Sequence, residues 1–299
     1  MGNTTQPKKW YPPTNDYAFK CVFGNPQHLD ITAGFIRDFF GIEVDGSDLR
    51  LLNSTSIDQA KLDQLDANGR RIFFETMRDI TFDIPSAKVT IEMQIVNQPT
   101  FLKRSFYYLS RLYAENYGID ELTKDNYKNL KPVWSMNILA HTRFEYDNNP
   151  YRVFSLRDEM TGAQIPEWTP VRLGYFEIPK QLRLTGRETD EAAKHRTAWA
   201  IFFDTGIAPD GAPEYIRNAA SIIYRVNTDP VEAKMLDAFE KAQADLDARE
   251  YWAEVRGEKK REIEIARNLL DAGTSIEVIT KATGIPVEEL LEMTALTPA

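Results

Sequence analysis

DITFDI (79–84), PSAK (85–88) and VTIEMQIV (89–96) form the stretch on which the fold of this chain turns. Polar and apolar residues alternate on both sides of PSAK, the period-two pattern of strands that bury one face. The proline and the small polar residues between them supply a turn, so an antiparallel hairpin is expected, with Ile80, Phe82, Ile84, Ile91 and Met93 toward the core. Centring the turn on PSAK sets Asp79 opposite Gln94 with Glu92 beside them, because positions two apart on a strand share a face. Asp83 lies on the same face but nearer the turn, and ranks second to Asp79.

Two carboxylates held in this way can bind Mg²⁺ or Mn²⁺, hard cations that take oxygen ligands. Such a metal polarises a phosphate oxygen and lowers the pKa of a water nucleophile, the minimum equipment for phosphodiester hydrolysis. Gln94 carries no charge near neutral pH, so the metal would supply the positive charge. Its amide can hydrogen-bond the attacking water or a phosphate oxygen. The solvated face of an ordinary amphipathic hairpin shows the same alternation, and spacing alone leaves both readings open.

Outward from the hairpin, FLKRSFYYLSRLYAENYG (101–118) places Leu102, Phe106, Leu109 and Tyr113 at helical spacing before Gly118. Arg104 and Arg111, with Tyr108 on the same stripe, could reach a phosphate or simply form a solvated basic face. The short apolar run PVWSMNILAH (132–141) suits a buried strand returning after a crossover long enough for parallel pairing. Upstream, PPTNDYAFKCVFG (12–24) and PQHLDITAGFIRDFFG (26–41) read as helices, the second entered at Pro26, stopped at Gly41 and buried through Leu29, Ile36, Phe39 and Phe40. LRLL (49–52) and RIFF (71–74) are possible strands around a polar segment with a turn signal at Asn68-Gly69. Residues 144–179 look β-rich and irregular, and 190–250 helical. The sum is an α/β chain, organised as residues 1–250 followed by a charged helix and a helix-turn-helix-like tail over 251–299. In that tail Thr274 and Glu277 fit a capping box and Pro286 a first helical turn, while Glu288, Glu289 and Glu292 make poor equipment for a major groove. Protein contact or self-association is the expected use.

Composition narrows the classes. With 299 residues, 42% hydrophobic and 27% charged, the chain is a folding globular protein. No apolar run approaches the ~20 residues of a membrane span, and the opening shows no signal peptide. A single cysteine, Cys21, excludes an internal disulfide, so the cytoplasm is the expected compartment. His28, His141 and His195 lack zinc-site spacing, and no phosphate-binding glycine loop is present, which argues against zinc, thiol and nucleotide chemistry. The formal charge of −9 weighs against a broad basic DNA-binding surface, though a local groove and a bound divalent ion can coexist with it.

TNDYAFKCVFG (14–24), the acid followed by IEMQ (91–94), the 101–113 helix, YKNLKPVWSMNIL (127–139), GYFEIPK (174–180) and the tail ARNLLDAGTSIEVITKATGIPVEELLEM (266–293) occur in an order that resembles the PD-(D/E)xK nuclease family transposases, also called recombination-promoting nucleases. The resemblance implies a restriction-endonuclease-like core, a mixed sheet flanked by helices, with helical additions and a small C-terminal helical module. It implies Asp79 and Glu92 as metal ligands, Gln94 in the place usually held by lysine, and Mg²⁺-dependent DNA cleavage associated with recombination. Asp16 matches a further acidic position on the first helix; as a residue favoured by the helix dipole it has an equally good local explanation. The connection between Asp79 and Glu92 is shorter than in many relatives, which leaves Asp79 or Asp83 as the first carboxylate. The alternative function is a nuclease-like fold that binds without hydrolysing and works through its helical tail.

Overall fold

The computed structural model describes residues 9–52, 79–115, 127, 130–165 and 169–295. RIFF, the Asn68-Gly69 turn and Gly118 lie outside them. Helices α1 (Asp16–Phe23) and α2 (Leu29–Phe40) precede the short strand β1 (Arg50–Leu51). Strands β2 (Asp79–Ile84) and β3 (Ala87–Gln94), helix α3 (Phe101–Glu115) and strand β4 (Val133–Leu139) follow. Then come β5 (Tyr151–Ser155), β6 (Val171–Glu177) and the helices α4 (Ile178–Leu182), α5 (Glu191–Thr205) and α6 (Glu214–Thr228). The chain closes with α7 (Pro230–Asp271), α8 (Ile276–Thr283) and α9 (Val287–Ala295).

The strands form one sheet in the order β1-β2-β3-β4-β6-β5. Its centre is parallel, β3 to β4 and β4 to β6, while β1, β2 and β5 run antiparallel to their neighbours. The expected hairpin is present with its core-facing side chains buried, but its register differs from the expected one. Pro85 and Ser86 alone make the turn, Ile84 pairs with Ala87, and Asp79 lies opposite Glu92 rather than Gln94. The change is two residues, one full strand period, so the polar face keeps its members and only their partners move.

The apolar face of the sheet is covered by α2, whose Phe39 ring meets Phe176 edge-on at 4.8 Å and whose Phe40 meets Trp134 at 5.5 Å. Behind it, Phe35, Trp199 and Phe203 pack together and tie α2 to α5. At the end of this layer the buried Asp38 carboxylate binds His195 Nδ1 at 2.7 Å and accepts from Trp199 Nε1 and Tyr215 Oη, both at 2.8 Å, pinning α2, α5 and α6 at one point. Helix α2 ends as expected at Gly41, whose φ of +67° is the left-handed cap that glycine adopts without a Cβ penalty.

Helix α3 covers the polar face. Its buried side is Phe101, Ser105 and Leu109, with Leu102, Leu112 and Tyr113 partly buried against Val133, Leu139, Leu173 and Tyr175. Phe106, expected inside, is exposed. The helix is turned by about one residue because Phe101 anchors it against Tyr175 and a small residue, Ser105, meets the Tyr175 hydroxyl at 2.6 Å.

Asp83, the alternative first carboxylate, is held by Lys131 Nζ at 2.6 Å and Arg50 Nη2 at 2.8 Å. Burial disfavours its charge, but the hydrogen bonds and charges of Lys131 and Arg50 outweigh burial and bring its pKa below the ordinary aspartate value. A carboxylate with a depressed folded pKa stabilises the fold above its unfolded value of about 4, and that contribution disappears as pH falls through the folded pKa. Asp83→Asn should therefore cost about 1 kcal/mol near neutral pH. Urea unfolding from pH 7 to pH 3 checks this: the gap to the unsubstituted protein should close in acid, and a gap independent of pH would contradict it.

The chain divides into two packing units, Met1–Asp237 and Ala238–Ala299. Within the second, Ala266, Ile279, Ile285 and Leu290 form a small core with Ile263, Leu269, Leu270 and Ile276. The N-cap of α8 is Ser275, with no side-chain hydrogen bond, so the capping box expected from Thr274 and Glu277 is not formed. Thr274 instead closes the end of α7, its N–H bonding to Leu269 O beside Gly273 at φ +77°. Pro286 immediately precedes α9. No helix among the described residues is long and apolar enough to cross a membrane.

Candidate active site

Residues in register across a sheet share a face, and one register row crosses five strands: Asp79 on β2, Glu92 on β3, Asn137 on β4, Tyr175 on β6 and Arg152 on β5. This is the face under α3. Asp79 is described through its backbone alone. Glu92 and Asn137 are buried, a costly placement for a carboxylate and an amide in the middle of a sheet. Asn137 Nδ2 donates to Gly174 O at 2.9 Å and to Ser135 Oγ at 3.2 Å, while its fully buried Oδ1 has no hydrogen-bond partner among the described residues. Burial raises the Tyr175 pKa, and the negative charge of Glu92 adds to the rise although Ser105 hydrogen-bonds the phenol.

Gln94 follows on the same face, two residues beyond Glu92. Both ends of its amide are engaged: Nε2 donates to Val96 O at 2.7 Å, and Oε1 accepts from Arg104 Nη2 at 2.8 Å. The same Nη2 lies 3.5 Å from Glu92 Oε1, and Arg104 Nη1 donates to Gln98 Oε1 at 2.6 Å. Arg104 thus descends from α3 onto the ExQ pair. Arg111, two turns further along α3, is exposed and pairs with Glu115 at 2.6 Å.

Glu92 forms part of the wall of a cleft of about 290 Å³ between α3 and the sheet. Thr81, Thr90 and Ser135, another register row, line its floor with hydroxyls. Ser105, Tyr108, Arg111 and Glu115 of α3 line the other side. Asp16 is the first residue of α1, a helix capped by Asn15 and packed against α2 and α6, the layer opposite α3. Among the described residues no three His, Cys, Asp or Glu side chains form a cluster that could hold a metal.

The donor chemistry nevertheless suits a hard divalent cation. Carboxylate and amide oxygens are the ligand type Mg²⁺ takes, such ions keep several waters, and the unsatisfied Asn137 oxygen stands beside Glu92 in the row. Thiol chemistry is disfavoured: burial, with Glu232 nearby, pushes the Cys21 pKa up to about 12.

Asn137, Tyr175, Ser105 and Gln98 were not singled out from sequence. For Asn137 a signal existed, since Ser135 and Asn137 alternate within an otherwise apolar strand, as Glu92 and Gln94 do on β3. Tyr175 and Ser105 carry no local signal; a tyrosine in an apolar strand and a serine in an amphipathic helix are commonplace.

Compared with known protein families, residues 13–251 match the model described as PD-(D/E)XK nuclease family transposase. Neither the curated proteins nor the solved structures yield a match.

Proposed function

This chain belongs to the PD-(D/E)XK nuclease family transposases, and from that premise we propose that it is a divalent-metal-dependent DNA endonuclease acting in recombination or transposition. The mixed sheet with helices on both faces is the restriction-endonuclease-like core that the family implies. The observation that carries the proposal is the register pairing of Asp79 with Glu92, with Gln94 two residues on and Glu92 itself lining a cleft under α3.

In this reading Asp79 and Glu92 hold Mg²⁺ or Mn²⁺; Asp16, which begins α1 in the layer opposite α3, ranks behind them as a further ligand. The bound ion would polarise the scissile phosphate and make water nucleophilic near neutral pH. Gln94 positions its neighbours through a fixed amide, and Arg104 and Arg111 meet phosphate oxygens from α3. The hydroxyl floor of Thr81, Thr90 and Ser135 offers donors to the same backbone. The C-terminal helices suit protein contact or self-association better than DNA, because Glu288 on α9 is exposed and Glu289 faces Lys259 at 3.8 Å.

A second reading, a nuclease fold that binds without hydrolysis, is favoured by Gln94, whose amide is already engaged at both ends. Incubation with supercoiled DNA separates the two. The expected result is nicking and linearisation with Mg²⁺ or Mn²⁺ and none with chelator. Binding without cleavage under every metal condition would move the conclusion to the second reading.

A further inference from the structure

We propose that Arg104, rather than Gln94, supplies the fixed positive charge of the catalytic constellation, reaching the scissile phosphate from α3 while Gln94 serves as its bracket. The inference rests on the nuclease reading above.

A phosphodiester gains negative charge on its non-bridging oxygens during attack, and a fixed cation beside the metal ligands stabilises that charge. Gln94 has none to give, and its orientation is already spent: Nε2 on Val96 O, Oε1 on Arg104. An amide whose oxygen receives a guanidinium at 2.8 Å is well placed to hold that guanidinium. Gln98 grips the other terminal nitrogen at 2.6 Å, and the Phe101 ring supports the guanidinium from 5.5 Å. All three contacts fix Arg104, and none of the three brings a counter-charge. Its separation from Glu92, 3.5 Å, is long for a charge-assisted hydrogen bond. The side chain is about one-fifth exposed, and Glu92, 3.5 Å from it, lines the cleft. Arg111 also lines the cleft, but its charge is already paired with Glu115 at 2.6 Å and no buried acceptor among the described residues fixes it.

The test compares Arg104→Met, Arg104→Lys and the double variant Gln94→Lys with Arg104→Met, by single-turnover cleavage of plasmid DNA in Mg²⁺. Affinity for duplex DNA is measured in Ca²⁺ and the thermal midpoint in parallel. Arg104→Met should lower the cleavage rate by about 10²–10³-fold, the scale for losing one fixed charge-stabilising donor, with DNA affinity within about threefold. Arg104→Lys should stay within about tenfold of the unsubstituted protein, because a cation remains. Lysine at position 94 should restore at least about tenfold to Arg104→Met, by returning a cation to the strand beside Glu92. A merely structural tether would not be rescued in that way. Should Arg104→Met fail to fold, Arg104→Gln replaces it as the uncharged partner. The inference is overturned if the Lys and uncharged variants cut alike, if the rate loss is matched by lost affinity, or if Gln94→Lys rescues nothing. A wild-type protein that does not cut under any metal condition sinks the nuclease reading itself, and is distinguishable because no variant comparison then arises.

Discussion

Replacing Glu92 with alanine should abolish DNA cleavage, by about 10³-fold or more, while leaving the protein at least as stable as before. The two halves of this expectation have one cause. Glu92 is a buried carboxylate set directly opposite Asp79 in the hairpin register. Like charges facing each other across a strand pair destabilise it, and a buried carboxylate adds desolvation. The Arg104 guanidinium at 3.5 Å offsets part of this cost. A residue that costs stability where it stands contributes something else, here the oxygen ligand without which a divalent ion is not held beside the scissile phosphate. The check is a cleavage assay beside a thermal melt, on Glu92→Ala and on the nearly isosteric Glu92→Gln. Cleavage within tenfold of wild type by a folded variant would remove Glu92 from the chemistry. A large fall in the thermal midpoint would show that its role is in the fold.

Glu177→Ala should have the opposite profile, destabilising the fold by about 3–5 kcal/mol, the scale for stranding the partner of a buried charge. Glu177 has no solvent exposure. Its Oε1 accepts from the backbone N–H groups of Arg143 at 2.7 Å and Phe144 at 3.0 Å, and its Oε2 faces Lys180 Nζ at 2.9 Å and Arg152 at 3.5 Å. Alanine would leave two backbone donors without their acceptor and the Lys180 ammonium, 3% exposed, without its nearest counter-charge. Lys180 also donates to Phe144 O and lies 3.8 Å from Asp147, which moderates the loss but does not replace a carboxylate at 2.9 Å. Glu177→Gln should lose about half as much, because one amide oxygen can still serve the two N–H groups. Adding Lys180→Met to Glu177→Ala should recover part of the loss, since the stranded charge is then gone. Urea unfolding midpoints decide it, and a loss under about 1 kcal/mol for Glu177→Ala would show that water reaches and satisfies the cluster.

Much of this protein was legible along the chain because local periodicity is written in local spacing. Alternation in 79–84 and 89–96 assigned the apolar residues to one face and Asp79, Asp83, Glu92 and Gln94 to the other, and the parity survived a two-residue error in register. The apolar run at 133–139 became the buried parallel centre of the sheet. The helix after the hairpin formed where its spacing placed it, although its buried stripe was off by one position at Phe106.

What the sequence by itself determined is therefore which residues share a strand face or a helix, since backbone geometry fixes those relations from one residue to the next. The tertiary structure decided which of those residues meet. Asn137 and Tyr175 reach the row of Glu92 only because crossovers bring β4 and β6 into parallel register with β3. Arg104 grips Gln94 only because Phe101 and Ser105 turn α3 onto Tyr175. These partners are separated along the chain by loops and helices whose lengths say that a return is possible but not in what register it ends. Register and helix rotation are settled by packing: by the fit of Phe101 and Ser105 against Tyr175, and by the two-residue turn at Pro85-Ser86.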